Sequence, residues 1–273
     1  MPGFSKVHMK KFLCIIAGQR AGTTALQSAL SATGKFHNFG EIFQTALPRH
    51  PGAFLDYCKD KNLPIENLFS DASLKTTTNR YINHLQKLTG TKYPLIDIKF
   101  NSWSILRQPW AYPGEQPFLM QRLKATQTAF LMISRDNIAD QIMSEKIARH
   151  LGKWHNLTSE AAEGKRFTIA KDKAVKHARQ TLYAERFFYS KLNKYPHFKH
   201  VTYDELYSSN TYPEALAKFF NDEFEIQLPD TFKPAIKKNV IDKAHIVENY
   251  EDVVAEINKM KKTFSPRPFE ESD

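Results

Sequence analysis

One stretch constrains this chain more than any other: Lys11-Phe-Leu-Cys-Ile-Ile-Ala-Gly-Gln-Arg-Ala-Gly-Thr-Thr24. The apolar run Phe12 to Ala17 is too short for a typical helix and is bounded by Gly18, so it reads as a strand buried on both faces. Gly18-Gln19-Arg20-Ala21-Gly22 follows, then Thr23 and Thr24. Leu26, Ala29 and Leu30 next recur at helical spacing until Gly34 stops the pattern. Strand, glycine loop and helix together present backbone N–H groups and a helix N-terminus to an anion. The two glycines permit close approach of the backbone, the threonines add donors and Arg20 adds positive charge. The alternative is a tight turn capped by threonine, with Arg20 in solvent.

The loop departs from the G-x-x-x-x-G-K-[ST] pattern of nucleotide-hydrolysing proteins. Its glycines stand four positions apart, threonine follows Gly22 directly, and no lysine precedes the hydroxyl. That disfavours ATP hydrolysis while keeping phosphate or sulfate binding.

At 273 residues with 41% hydrophobic content, the chain suffices for one large α/β domain, taken here as residues 1–273. Its two cysteines, Cys14 and Cys58, form no metal or redox spacing, and a reduced, cytoplasmic protein is expected. No apolar signal region and no stretch of membrane-spanning length is visible. The net charge of +10 suits anionic ligands. Its lysines and arginines are scattered rather than gathered into a nucleic-acid module, which favours an anionic small cofactor over nucleic acid.

Further along, Lys35 to Phe43 reads as an aromatic, turn-rich loop. Its Glu41 and His37 are candidate general bases, or else a first-turn helix carboxylate and a surface histidine. Short helices are expected near 53–59 and 79–88. Leu95 to Phe100 reads as a strand, with Lys99 near its end pointing at an anion or simply leaving the sheet. Residues 101–116, with Trp103, Trp110 and Tyr112, read as a loop. A helix from 117 to 126 precedes a third buried strand, Ala129 to Ser134. Arg135, at that strand's end, and Ser144, two turns into the next helix, are placed to grip a second phosphate, or Arg135 makes a surface ion pair. A long basic helix near 169–193, a strand from Phe198 to Tyr203, a helix from 213 to 221 and a last helix from Val247 to Met260 complete the pattern. Lys237 and Lys238 fall in a loop-like tail. Strands alternating with helices predict a three-layer α/β sandwich on a mainly parallel sheet.

With two anion sites placed, the chain resembles the sulfotransferases that use 3′-phosphoadenosine 5′-phosphosulfate (PAPS), most closely their bacterial trehalose/lipopolysaccharide-type branch. Gly18 to Thr24 resembles the family's 5′-phosphosulfate loop, which implies cofactor binding by Gly18, Gln19, Arg20, Ala21, Gly22, Thr23 and Thr24. Phe39-Gly-Glu-Ile-Phe43 resembles the segment whose carboxylate is the catalytic base, which implies that role for Glu41. Ser134 to Ser144 resembles the 3′-phosphate motif, with Arg135 and Ser144 nine residues apart, one more than is usual in eukaryotic members. Gly152-Lys-Trp-His155 extends the likeness, and the Lys99 strand, His200 to Leu206 and Asn249-Tyr250 echo it weakly.

The resemblance implies a P-loop-like sulfotransferase fold. It also implies transfer of a sulfuryl group from PAPS to a hydroxyl or amine of a carbohydrate, glycolipid or small natural product. Arg20 and Lys99 would assist, and no metal is expected. The competing readings are a nucleotide kinase or NTPase, a non-catalytic anion-binding module and a basic nucleic-acid binder. Magnesium dependence, absence of turnover and steep salt dependence of duplex binding would mark them respectively.

Overall fold

The computed structural model describes residues 10–47, 49–64, 70–106, 115–154, 164–232 and 242–264. Five strands, β1 Leu13–Ala17, β2 Phe36–Glu41, β3 Tyr93–Lys99, β4 Ala129–Ser134 and β5 Phe198–Thr202, form one sheet in the order β2-β3-β1-β4-β5. Every pairing is parallel, so all five carboxyl ends lie along one edge. β1 is central because it is apolar on both sides: each of its residues is buried.

Alternate residues of the strands feed two cores. Cys14, Ile16, Ile96, Ile98, Phe130 and Met132 pack under helices α2 (Phe54–Asp60), α3 (Asp71–Leu88) and α4 (Phe118–Ala125), and under the distal end of α6 (Lys171–Leu192). Leu13, Ile15, Leu95, Leu131 and Ile133 pack under α1 (Thr23–Ala32) and α8 (Glu214–Phe224), with the short α7 (Tyr203–Tyr207) between them. The fold is therefore a three-layer α/β sandwich with a parallel central sheet, as the alternating pattern predicts. A third apolar cluster joins α5 (Ile138–Leu151), α6, α9 (Lys243–Ile246) and α10 (Tyr250–Thr263) beyond β4.

The long helix α5 begins and ends as its sequence dictates. Asn137 accepts from the Asp140 N–H at the N-cap, and Gly152 at φ 64° closes the C-terminus.

Four expectations need correction, the first being the helix near 79–88, which is the 18-residue α3 begun at Asp71 behind a Ser70 cap. Lys35 to Phe43 is not a loop: Phe36–Glu41 is the edge strand β2, with a bulge between Asn38 and Glu41. Only Phe36, Phe39 and Gly40 of it are buried, so its apolar signal is too sparse to announce a strand. Phe100–Leu106 is a 3₁₀ helix rather than a loop, and Trp103 is buried in the core. The last helix starts at Tyr250, because Val247 is drawn into a bridge with Phe167 and turns the buried face to Val253, Ile257 and Met260. Trp110, Tyr112, His155, Lys237 and Lys238 lie outside the described residues.

Candidate active site

The carboxyl edge of the sheet opens into a cleft of about 2060 Å³. Its floor is the loop between β1 and α1. Gly22 is the N-cap of α1 at φ 81°, in the left-handed region where glycine is favoured. A Cβ there would stand 2.7 Å from Tyr207 Cε2 and 2.9 Å from Tyr203 Cε2. Gly18 is small for a different reason: Gln141 of α5 lies across it, 2.7 Å from a built Cβ, and donates through Nε2 to the Gln19 carbonyl at 2.7 Å. Tyr207 donates to the Gly22 carbonyl at 2.6 Å. The loop is thus pinned from both sides. Gly22 has no side chain to cap α1 and the helix's first turn holds no acid, so its positive end faces the cleft.

Two groups of charged side chains converge on this floor. At the β2–β3 side, the Lys99 ammonium donates to Thr23 Oγ1 at 2.5 Å and to Asp97 Oδ2 at 2.7 Å, and lies 3.6 Å from Glu41 Oε1. Gln19 Nε2 donates to the other Glu41 oxygen at 3.3 Å. Burial pushes the Glu41 carboxyl above the ordinary glutamate range. Lys99 and the Gln19 bond pull it down, and Asp97 pushes it further up. Lys99 is almost fully buried, whereas the Glu41 side chain keeps about a third of its exposure to the cleft.

At the β4 side, Arg135 donates to the Arg20 carbonyl at 3.1 Å, pairs with the Asp140 carboxylate and lies 4.4 Å above the Tyr203 ring. Lys243, from α9, pairs with the other Asp140 oxygen. Burial opposes ionisation of Asp140, but Arg135 and Lys243 outweigh it and hold the carboxyl below its ordinary range. Arg20, at φ 64°, donates through Nε to Ser144 Oγ at 3.3 Å and through its guanidinium to the Trp154 carbonyl. Burial first, and then Arg135, pushes the Arg20 guanidinium below its ordinary value.

The structure therefore brings the sequence-derived candidates Gln19, Arg20, Thr23, Thr24, Glu41, Lys99, Arg135 and Ser144 onto one cleft. Two details differ from expectation. The Arg20 side chain turns toward Ser144 rather than Thr23, joining the two sets. Arg135 is in an ion pair, as the alternative reading held, yet the pair lines the cleft rather than the open surface. His37 is half-buried with its ring 4.5 Å from that of Phe39, and does not line the cleft.

Asp97, Gln27, Gln141, Tyr203, Asp140 and Lys243 were not legible as site residues. Asp97 carried a signal: a carboxylate in the middle of the apolar strand Tyr-Pro-Leu-Ile-Asp-Ile-Lys is costly unless paired. The others meet the site through contacts that sequence spacing does not reveal.

No family model matches the sequence, and no curated protein matches it. Among solved structures, the chain is similar to a sulfotransferase from Alicyclobacillus acidocaldarius, at 10% identity over 92% of this chain and 95% of that one, with a TM-score of 0.43. It is also similar to the sulfotransferase domain of the Synechococcus PCC 7002 olefin synthase, at 12% identity over 97% and 98%, with a TM-score of 0.41. A structure from the PezAT toxin–antitoxin system of Streptococcus pneumoniae aligns at 13% identity over 95% and 90%, with a TM-score of 0.31. At this level of likeness, neither family membership nor any residue's role passes from them to this chain.

Proposed function

We propose that the chain is a PAPS-dependent sulfotransferase acting on a hydroxyl, or an amine, of a carbohydrate, glycolipid or small natural product. The observation that carries this reading is the meeting of a carboxylate and an ammonium, Glu41 and Lys99, 3.6 Å apart beside Thr23, where the glycine loop enters α1. A second cationic group, Arg135 with Lys243, shares the same cleft.

The residues present fit a ligand with two anionic ends. The loop amides, Thr23, Thr24 and Lys99 would hold a 5′-phosphosulfate at the helix N-terminus. Arg135 and Ser144 would hold a 3′-phosphate, and Lys243 adds charge there. Arg20 reaches from the first set to the second. PAPS supplies an activated sulfuryl group when bound.

Glu41 would accept the acceptor's proton as its oxygen, or nitrogen, forms a bond to sulfur. The leaving phosphate oxygen would take the electron pair of its bond to sulfur as the new bond forms, and the loop amides, Lys99 and Arg20 would stabilise its charge. Transfer of this kind is mostly positioning and charge stabilisation, by analogy with phosphoryl transfer. Raised proton affinity makes the Glu41 carboxylate a stronger base than an exposed glutamate.

Neutralisation by lysine, arginine and amides requires no metal, so turnover is expected to persist in EDTA. The test is transfer of labelled sulfuryl from PAPS to a panel of sugars, glycolipids and small alcohols and amines in EDTA. Labelled product supports the reading. Turnover that appears only with ATP and magnesium would replace it with phosphoryl transfer.

A further inference from the structure

Asp97 lies two residues before Lys99 on β3, so the two side chains share the sheet face covered by α1. It is 1% exposed. Its Oδ2 accepts from Lys99 Nζ at 2.7 Å and from Gln27 Nε2, on α1, at 2.6 Å. Its Oδ1 is buried and has no hydrogen-bond partner among the described residues. A carboxylate placed in a core strand at this cost needs a reason beyond packing.

The reason visible in the geometry is Lys99. Of the three ammonium protons, one goes to Asp97 and one to Thr23, which leaves the third for the side where Glu41 and the cleft lie. The long lysine stem is thereby fixed, and Gln27 fixes the carboxylate that fixes it. In P-loop NTPases a loop hydroxyl and a strand-borne aspartate hold a magnesium ion. Here the same two kinds of oxygen hold the ammonium of the chain's own lysine.

We propose that Asp97, anchored by Gln27, is a positioning residue that locks the Lys99 ammonium onto Thr23 as a resident cation, between the glycine loop and Glu41. Its place in the reaction rests on the sulfotransferase reading above. Its place in the network does not.

The charged groups acting on Glu41 are Lys99 and Asp97 from β3, and the His50 ring lies over the neighbouring Gly40. Asp97 raises the proton affinity of Glu41 directly by its charge. It also does so indirectly, by sharing the ammonium that would otherwise pair with Glu41 alone.

The experiment compares Asp97→Asn, Lys99→Met and the double variant, with Gln27→Met as a milder change that keeps both charges. The Glu41 carboxyl is titrated by NMR in the free protein, and PAPS turnover is measured beside it. Asp97→Asn is expected to move the Glu41 titration to lower pH and to reduce kcat roughly tenfold, with the KM for PAPS changed less than about threefold. Gln27→Met should act in the same direction and more weakly. In the Lys99→Met background, Asp97→Asn should leave the residual rate unchanged and move the Glu41 titration less than in the wild-type background, by the direct effect of its charge alone.

An unmoved Glu41 titration, or an equal effect of Asp97→Asn with and without Lys99, overturns the proposal. So does a loss of rate that only follows a loss of thermal stability. If the wild-type chain transfers no sulfuryl group, the proposed function falls and the titration decides Asp97 by itself.

Discussion

Replacing Arg135 with alanine separates the two anion sites most cleanly. Arg135 is 8% exposed, and its guanidinium stacks 4.4 Å above Tyr203, donates to the Arg20 carbonyl at 3.1 Å and pairs with Asp140. Asp140 keeps Lys243 as a partner in the variant, so no unpaired buried carboxylate results. The fold then loses a cation–π contact, the bond to the Arg20 carbonyl and the ion pair with Asp140, together about 3 kcal/mol.

A charge-assisted bond to phosphate contributes about 1.5–3 kcal/mol. With Lys243 still nearby, a loss of about 2 kcal/mol is expected, or roughly thirtyfold in the Kd for adenosine 3′,5′-bisphosphate. Adenosine 5′-monophosphate, which has no 3′-phosphate, should weaken less than about threefold, a change too small for loss of a direct charged contact. Arg135→Lys should fall between, because it keeps the charge and loses the fork. Calorimetric titration of both nucleotides against wild type and variants gives the comparison. Equal weakening of the two nucleotides would remove Arg135 from the 3′-phosphate and refute the reasoning.

Three other outcomes follow from the same geometry. Glu41→Gln keeps the size of the side chain and removes the base, so turnover should fall by about a hundredfold or more while bisphosphate affinity stays within about threefold; unchanged turnover would reject Glu41 as base. The folded Asp140 carboxyl titrates below its unfolded value, so its stabilising contribution is complete above the unfolded carboxyl pKa and is lost as pH falls through the folded one. Asp140→Asn should therefore lower the urea midpoint near neutral pH, with the difference closing in acid. A difference that does not change with pH would contradict the ion-pair account. Gly22→Ala adds left-handed strain of about 1 kcal/mol and a clash of about 1–3 kcal/mol with Tyr203 and Tyr207. Gly34→Ala, at φ 72° with nothing among the described residues within 4 Å, carries the strain alone and should be clearly milder in urea unfolding.

The parts of the fold readable from the chain are those whose signal is local. β1 and β4 are unbroken apolar runs with sharp ends, and α5 carries its own cap and stop. β2 escaped notice because an edge strand is buried by few residues and its bulge breaks the alternation. In the site, the glycine loop is legible because chemistry and backbone conformation coincide within a few residues. Asp140 holding Arg135 with Lys243, Gln141 crossing Gly18 to reach the Gln19 carbonyl, and Gln27 reaching Asp97 bring together residues up to 122 apart, and spacing along the chain does not encode them. The turn of Arg20 toward Ser144 belongs to the same class: each residue is legible in its own motif, but their meeting depends on how α5 packs beside the loop.

The most direct test of the central claim is calorimetric titration of the wild-type chain with adenosine 3′,5′-bisphosphate and, separately, ADP, both without metal. The account predicts tight binding of the bisphosphate and weak binding of ADP, because Arg135, Ser144 and Lys243 would meet a 3′-phosphate that ADP lacks. Preference for ADP, or no preference, would contradict it.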